Sequence, residues 1–231
     1  MQRAQVLLEA FAQTYEEKRP DHEPLVFHVK LRDEGAILTV DLTEPGTPRI
    51  VEGAHPEAFH TFVTDVTTLE KMQSGELGPG TASGKEHVGQ PAPLDGELPA
   101  GESWTMEKIY RSIEIAYPFF NPFNPERIRF DEEHARFVHG GHAVVFFYAR
   151  GFRSAWYSIH RGEQVNDEEH ANPFPSGIIV LSGRGSGRIG GKEVELQANE
   201  AYLIPAGATH TFWNEHEEPM TAIYLAWGEG A

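Results

Sequence analysis

Residues 199–214 read NEAYLIPAGATHTFWN, and this stretch decides the fold of the second half of the chain. Pro205 and Gly207 stand between two short apolar runs, and their spacing predicts a tight turn that joins two β-strands. His210 and Asn214 follow in the second of these strands. By strand alternation we expect His210 to face the interior of a β-structure, with Phe212 on the same side.

Many short strands with glycine-rich turns surround this unit from Arg127 onwards. The predicted strands are 144–149, 155–160, 178–181, 188–189, 193–196, 201–205, 209–213 and 222–226. Regular short strands with turn signals are typical of an all-β sandwich or barrel. The sequence GRGSG at 183–187 lies between strands and is predicted to be a turn.

The unit at 199–214 resembles the second sequence motif of the cupin family. That motif runs Gly, five residues, Pro-x-Gly, two residues, His, three residues, Asn, and this chain departs from it at Asn199, where Gly is usual. Residues 178–190, IIVLSGRGSGRIG, resemble the strand and glycine turn that follow the family's first motif. The resemblance implies an all-β cupin double-stranded β-helix barrel over residues 127–231, with a central pocket for a small-molecule ligand.

The family's first motif, Gly, five residues, His-x-His and then Glu, is only partly matched. Counting from Gly162 places Glu168 and His170 in the two His positions, and Ser176 stands where the family has Glu. The resemblance implies that Glu168, His170 and His210 hold a divalent metal, Fe, Mn, Ni or Zn. Two imidazoles and one carboxylate suit these ions and leave coordination positions open.

A metal-free barrel is the alternative, since Glu168 also lies in the acidic run NDEEH and a shift of frame would substitute Glu169 or Asn172. With or without a metal, the predicted pocket-lining residues are His160, Ser176, Ile178, Phe212 and Asn214. The sequence HGGH at 139–142 favours an exposed hairpin turn over a metal site.

The first part of the chain predicts an α+β domain. Residues 2–18 place apolar side chains on one helical face. Apolar and polar residues alternate in segments 25–31 and 36–42, which predicts two strands of a β-hairpin. Residues 53–85 resemble the sterol-carrier-protein-2-like family through the strand entry at Pro56, the helix at 67–72, SGEL at 74–77, Pro79 and Thr81-Ala82. This resemblance covers residues 1–95 and implies an apolar tunnel for a hydrophobic ligand. The alternative is a scaffold for dimerisation or for covering the cupin.

Residues 96–126 are interpreted as a linker and helical connector. The segment 79–101 is rich in Gly, Pro and Ser, which favours a loop, and 103–117 has helical periodicity. Three prolines in PFFNPFNP at 118–125 are expected to end that helix. The predicted domains are therefore 1–95 and 127–231, joined by this connector.

The amino-acid composition restricts which classes of partner the protein is expected to bind. The 231 residues carry a formal net charge of -16, which disfavours nucleic acid and anionic lipid as partners. The acid-rich, lysine-poor balance is typical of an acidic protein from a salt-adapted cytoplasm. There is no cysteine, which excludes thiolate chemistry and disulfides, and no apolar run long enough for a membrane span, so we expect a cytoplasmic protein.

Three functions follow as hypotheses. A metal-bearing barrel implies a small-molecule oxygenase, isomerase or lyase, in which the ion polarises a substrate oxygen or binds O₂. A metal-free barrel implies a non-catalytic binding or sensing protein. The third hypothesis is a hydrophobic-ligand carrier acting through residues 1–95. The cupin resemblance also implies a homodimer.

Overall fold

A computed structural model describes residues 1–86, 90–167 and 170–231, which form two compact units. The first unit comprises Met1–Ser83 and Pro91–Arg129. The second contains Phe130–Ala231 and a short segment that begins at Gly84. No helix in these described ranges is both long and apolar enough to cross a membrane.

The first unit is a mixed sheet covered by helices. Its elements are α1 (Gln2–Lys18), β1 (Leu25–Leu31), β2 (Ile37–Leu42), β3 (Arg49–Glu52), β4 (Thr61–Thr64), α2 (Val66–Ser74), α3 (Pro79–Ser83), β5 (Asp95–Glu97) and α4 (Met106–Phe119). The strand order is β3-β2-β1-β4-β5, with β1 and β4 parallel. Asp65 caps α2 by accepting a hydrogen bond from the Thr68 amide, and Gly75 ends it in the left-handed conformation.

Aromatic rings fill the core of this unit. Phe11, Phe27, Phe119 and Phe120 are fully buried. The Phe119 ring lies edge-on to Phe27 and Phe120, with ring centroids 4.9 Å away in both cases. This core explains a difference from the sequence-based expectation, because α4 continues through Pro118 to Phe119. The backbone hydrogen bond that a proline cannot donate is offset by burial of the two phenylalanines that follow it.

The segment expected to be a loop at 79–101 also contains regular structure. It forms α3 and β5, and β5 pairs with β4 in antiparallel orientation. Ala92 and Leu94 are almost completely buried. Small and polar residues predicted a loop here, whereas two buried apolar side chains are enough to dock the segment on the sheet.

The second unit consists of two facing sheets. Its strands are β6 (Arg136–Val138), β7 (Gly141–Ala149), β8 (Phe152–Ile159), β9 (Gln164–Val165), β10 (Ser176–Ser182), β11 (Arg184–Ile189), β12 (Lys192–Gln197), β13 (Ala201–Ile204), β14 (His210–Trp213) and β15 (Met220–Trp227). One sheet has the order β13-β10-β15-β8-β7-β6 and the other β12-β11-β14-β9. A cluster of buried side chains packs between them, among them Ile159, Ile178, Leu196 and Phe212.

The expectation of a turn at 183–187 is wrong, because Arg184–Ile189 is a strand paired with both β12 and β14. Only Gly183 has the left-handed backbone of a turn. Gly185 and Gly187 are required by packing instead. A Cβ atom at Gly187 would lie 2.7 Å from the Phe212 ring, and one at Gly185 would lie 2.7 Å from the Trp213 carbonyl oxygen.

Candidate functional site

The turn before β14 places His210 in the interior of the second unit. Gly207 adopts a positive φ of 76°, and its amide donates a hydrogen bond of 2.7 Å to the Asn172 carbonyl. His210 starts β14 and is only 6% exposed. Desolvation by burial lowers the pKa of His210 from its ordinary value, so the imidazole is neutral at pH 7.

Two tyrosines belong to the same interior. The Tyr224 ring lies 6.5 Å from the His210 ring and nearly parallel to it, and its hydroxyl accepts a hydrogen bond of 3.0 Å from the Asn172 amide group. Burial raises the pKa of Tyr224. Burial, and then the neighbouring Tyr224, raise the pKa of Tyr157. Both phenols therefore stay protonated at neutral pH and remain hydrogen-bond donors.

Ser176 adds a buried hydroxyl group beside Tyr224. It lies on β10, diagonal to Tyr224 on the paired strand β15, and is completely buried. Within the described residues its Oγ atom makes no hydrogen bond of ordinary geometry, and its polar neighbour is the Tyr224 hydroxyl. A buried hydroxyl left unpaired costs about 1–3 kcal/mol, so the atom marks a position where a ligand or water would be stabilised. Ile178 and Phe212 are buried in the same core and supply apolar surface.

The backbones of His170 and His210 lie side by side. Asn166 Nδ2 donates to the carbonyl oxygens of both residues, at 3.1 Å and 2.6 Å, and Ala171 pairs with Thr209 in a short antiparallel bridge. His170 is exposed, in contrast to the buried His210. Glu168, the third predicted ligand, lies outside the described residues. The metal set Glu168, His170 and His210 therefore stays a prediction.

Asn214 is buried, and its side chain forms hydrogen bonds with backbone groups. Its Nδ2 atom donates to the carbonyls of Ile159 and Glu218 at 2.9 Å and 2.8 Å, and its Oδ1 atom accepts from the His216 amide at 2.7 Å. These bonds fix the loop between β14 and β15. The side chain's donors and acceptor are thus engaged locally, and the pocket-lining role expected for Asn214 stays a prediction.

His160 belongs to a second cluster, together with His142 and Glu163. These side chains offer three potential metal-ligand atoms that all lie within 4.8 Å of one another. The His142 and His160 rings are stacked with centroids 4.4 Å apart. The sequence pattern predicts an exposed turn for His142 and gives no functional prediction for Glu163. The sequence signal for this group is the spacing His160-x-x-Glu163, combined with a second histidine on the preceding strand, which is expected to pair with the strand before His160.

Residues 155–226 match the cupin domain family. The match covers β8 to β15 and supports a C-terminal cupin barrel. No curated protein matches the chain. The comparisons do not bear on the resemblance of the first unit to sterol-carrier-protein-2-like proteins, which stays a prediction.

Solved structures similar to this chain include three bacterial proteins. The plu4264 protein from Photorhabdus luminescens is 15% identical, with 44% of this chain and 87% of that chain covered and a TM-score of 0.40. A Cupin 2 conserved barrel domain protein from Salinispora arenicola is 19% identical, with 45% and 88% covered and a TM-score of 0.40. An RmlC-like cupin from Shewanella frigidimarina is 13% identical, with 40% and 80% covered and a TM-score of 0.36.

Proposed function

We propose that the cupin barrel binds a small organic molecule that carries a carbonyl or carboxyl oxygen. The observation that carries this proposal is the completely buried Ser176 hydroxyl, which makes no hydrogen bond of ordinary geometry among the described residues. It lies diagonal to the protonated Tyr224 phenol, whose ring stacks against the His210 imidazole. A ligand oxygen accepting from Ser176 would remove the cost of the unpaired hydroxyl.

The polarity of the surrounding groups defines the ligand class. Tyr224 accepts from Asn172, so its own hydroxyl hydrogen can be donated to the neighbouring Ser176 or to a ligand oxygen. Tyr157, which stays protonated, is a further donor. Several neutral donors and an apolar surface of Ile178 and Phe212 suit an oxygenated molecule with a small apolar body.

A ligand screen with a matched serine pair tests the proposal. Short-chain 2-oxo acids, 1,3-diketones and lactones are added to the full chain, and the thermal midpoint and the dissociation constant are measured. Ser176→Ala is expected to weaken binding about tenfold, which corresponds to the loss of one hydrogen bond. Ser154→Ala is the control, since Ser154 is also buried without a partner in the described structure but alternates to the opposite face of its strand from Tyr157. Equal effects of the two changes, or no binding of any probe, would contradict a ligand site at Ser176.

A metal-dependent enzyme is the second candidate function. Its support is the pair of hydrogen bonds from Asn166, which keep the backbones of His170 and His210 adjacent. With Glu168 they would hold Fe, Mn, Ni or Zn, an ion that polarises a substrate oxygen in oxygenase, isomerase or lyase chemistry. Elemental analysis of untagged wild type and His210→Ala tests this set. A stoichiometric ion lost in His210→Ala supports the enzyme, whereas an ion unaffected by the change opposes it.

The hydrophobic-ligand and homodimer predictions need separate tests. Displacement of a fluorescent fatty acid from the full chain would support ligand carriage by the first unit. The full chain is required because residues 91–129, including α4, contribute to that unit's core. A monomeric elution volume would contradict the homodimer.

A further inference from the structure

We infer that His142, His160 and Glu163 form a binding site for one divalent transition-metal ion, separate from the interior of the barrel. Among the described residues, this is the group in which three His or carboxylate ligand atoms come within 4.8 Å of one another. Glu163 Oε1 lies 3.2 Å from His142 Nε2 and 3.9 Å from His160 Nδ1. Tetrahedral ligands around zinc are separated by roughly 3.4 Å, which is close to the distances of Glu163 Oε1 from the two imidazole nitrogens.

The backbone brings these side chains together. His142 on β7 pairs with Ser158 on β8, and His160 follows two positions later on the same side by alternation. The chain then turns, with the Glu163 amide donating to the His160 carbonyl at 3.0 Å and Gly162 at a positive φ of 83°. A glycine with positive φ at this position is typical of a type II turn, which returns Glu163 over His160.

Two of the three proposed ligand residues, Glu163 and His160, are oriented by a hydrogen bond at the atom that does not face the metal. Glu163 Oε2 accepts from the His160 amide at 2.8 Å, which leaves Oε1 for a metal. His160 Nε2 lies 3.0 Å from Glu132 Oε1, which leaves Nδ1 for a metal. Metal-binding histidines commonly donate their second ring nitrogen to a carboxylate, because this bond fixes the tautomer and the ring orientation. Glu132 is therefore a positioning residue.

The chemistry of the ligands defines the ion. Two imidazoles and one carboxylate suit Zn(II), Co(II) or Ni(II), whereas Mg(II) and Ca(II) require oxygen ligands. The His142 and His160 side chains are 31% and 38% exposed, so solvent can fill the remaining coordination positions. The ion would join β7 to the turn after β8.

The site is distinct from the predicted set at Glu168, His170 and His210. The Asn214 amide donates to the Glu163 carbonyl at 3.3 Å, which places Glu163 opposite a residue four positions beyond His210. At about 3.3 Å per strand residue, this corresponds to about 13 Å along the chain from His210. Loss of one site therefore does not require loss of the other.

Metal titration of the untagged full chain after dialysis against EDTA tests the inference. Zn(II) is titrated by calorimetry and Co(II) by its visible absorption, with Mg(II) as the comparison ion. We expect one equivalent of Zn(II) or Co(II), retained in His210→Ala and weakened at least 100-fold in His142→Gln and in Glu163→Gln. Glu132→Gln is expected to weaken binding about 10- to 100-fold, as for other carboxylates that orient a ligating histidine.

His139→Asn is the matched control, because His139 lies in the same hairpin but outside the group and asparagine tolerates its positive φ of 53°. It should leave binding unchanged. Circular dichroism and the thermal midpoint in EDTA identify any variant that fails to fold, and His142→Gln and Glu163→Gln provide independent tests. The inference is overturned if wild type binds no ion, if Mg(II) binds as tightly as Zn(II), or if His139→Asn weakens binding as much as His142→Gln. It is also overturned if the ion is lost in His210→Ala and retained in His142→Gln.

Discussion

The cores of the two units differ in the side chains that fill them. In the first unit, Phe11, Phe27, Phe119 and Phe120 pack ring against ring with no exposed surface. In the second, apolar strands enclose His210 together with the hydroxyl groups of serine and tyrosine. Burying a hydroxyl group is unfavourable unless it gains a partner, so the polar groups around His210 form a candidate ligand site. In the first unit the aromatic rings supply packing, although polar side chains such as Thr39, His60 and Thr64 are also buried there.

The largest effect is expected in the aromatic core. Phe119→Ala removes a fully buried ring that contacts Phe11, Tyr15, Phe27 and Phe120, and we expect the free energy of unfolding to fall by about 3–5 kcal/mol. Urea unfolding measures the change. Phe147→Ala serves as control, because Phe147 is 60% exposed and should lose less than about 0.5 kcal/mol. Similar losses in both variants would mean that the aromatic cluster does not hold the first unit together.

Asn214→Ala tests a buried polar side chain that is fully engaged. The change removes three hydrogen bonds to Ile159, Glu218 and His216, and we expect a loss of about 2–3 kcal/mol in the free energy of unfolding. Ser182→Ala, which removes an exposed bond to Thr221, should cost under about 0.5 kcal/mol. If Asn214→Ala instead abolished ligand binding at unchanged stability, Asn214 would line the pocket after all.

His60 is one of several polar side chains buried in the first unit, among them Thr39 and Thr64. It is 2% exposed and lies 3.2 Å from the Ser112 hydroxyl, and burial lowers its pKa to about 4. The unfolded state takes up a proton below about pH 6.5 whereas the folded state does not, so stability is full above that pH and falls as the pH approaches 4. Between pH 7 and pH 5 we expect a loss of about 2 kcal/mol from this group.

Urea unfolding of wild type and His60→Phe at both pH values measures this contribution, and NMR titration of the imidazole gives its pKa directly. The variant should lose about 2 kcal/mol less stability between pH 7 and pH 5 than wild type. A His60 pKa near 6.5 would remove the physical basis of the prediction.

The smallest effect is expected at Ser176. Since Ser176 Oγ makes no hydrogen bond of ordinary geometry within the described residues, Ser176→Ala relieves the cost of burying it and should leave the free energy of unfolding unchanged or raise it by about 1 kcal/mol. Urea unfolding without ligand makes the measurement. A loss above about 2 kcal/mol would show that the hydroxyl is already bonded in the free protein, and the second core would then resemble the first.

Local patterns predicted the fold of the second unit well. The turn at Pro205 and Gly207 and the strand that begins at His210 lie where the motif placed them. Local patterns failed where packing decided the outcome. Glycines at 185 and 187 predicted a turn but lie in a strand, because neighbouring Phe212 and Trp213 leave no room for a side chain. Pro118 predicted a helix end but lies inside α4.

The candidate sites were predictable to different degrees. His210 is predicted because its strand carries the second motif with fixed spacing, and Ser176 because it stands at the Glu position of the first motif. The group of His142, His160 and Glu163 was not found. Its members are adjacent only when β7 and β8 pair in one register, and a shift by one residue would move His142 to the opposite face.

The sequence by itself determined the short strands and turns of the barrel, the acidic charge and the position of His210 on an inward-facing strand, because these depend on local spacing and composition. Tertiary structure decided which polar groups lie close together. It buried the Ser176 hydroxyl where no described residue gives it a hydrogen bond of ordinary geometry, engaged Asn214 with the backbone, and brought His160 to His142 rather than to His210. Strand pairing sets these distances, and pairing joins residues that are far apart in the chain.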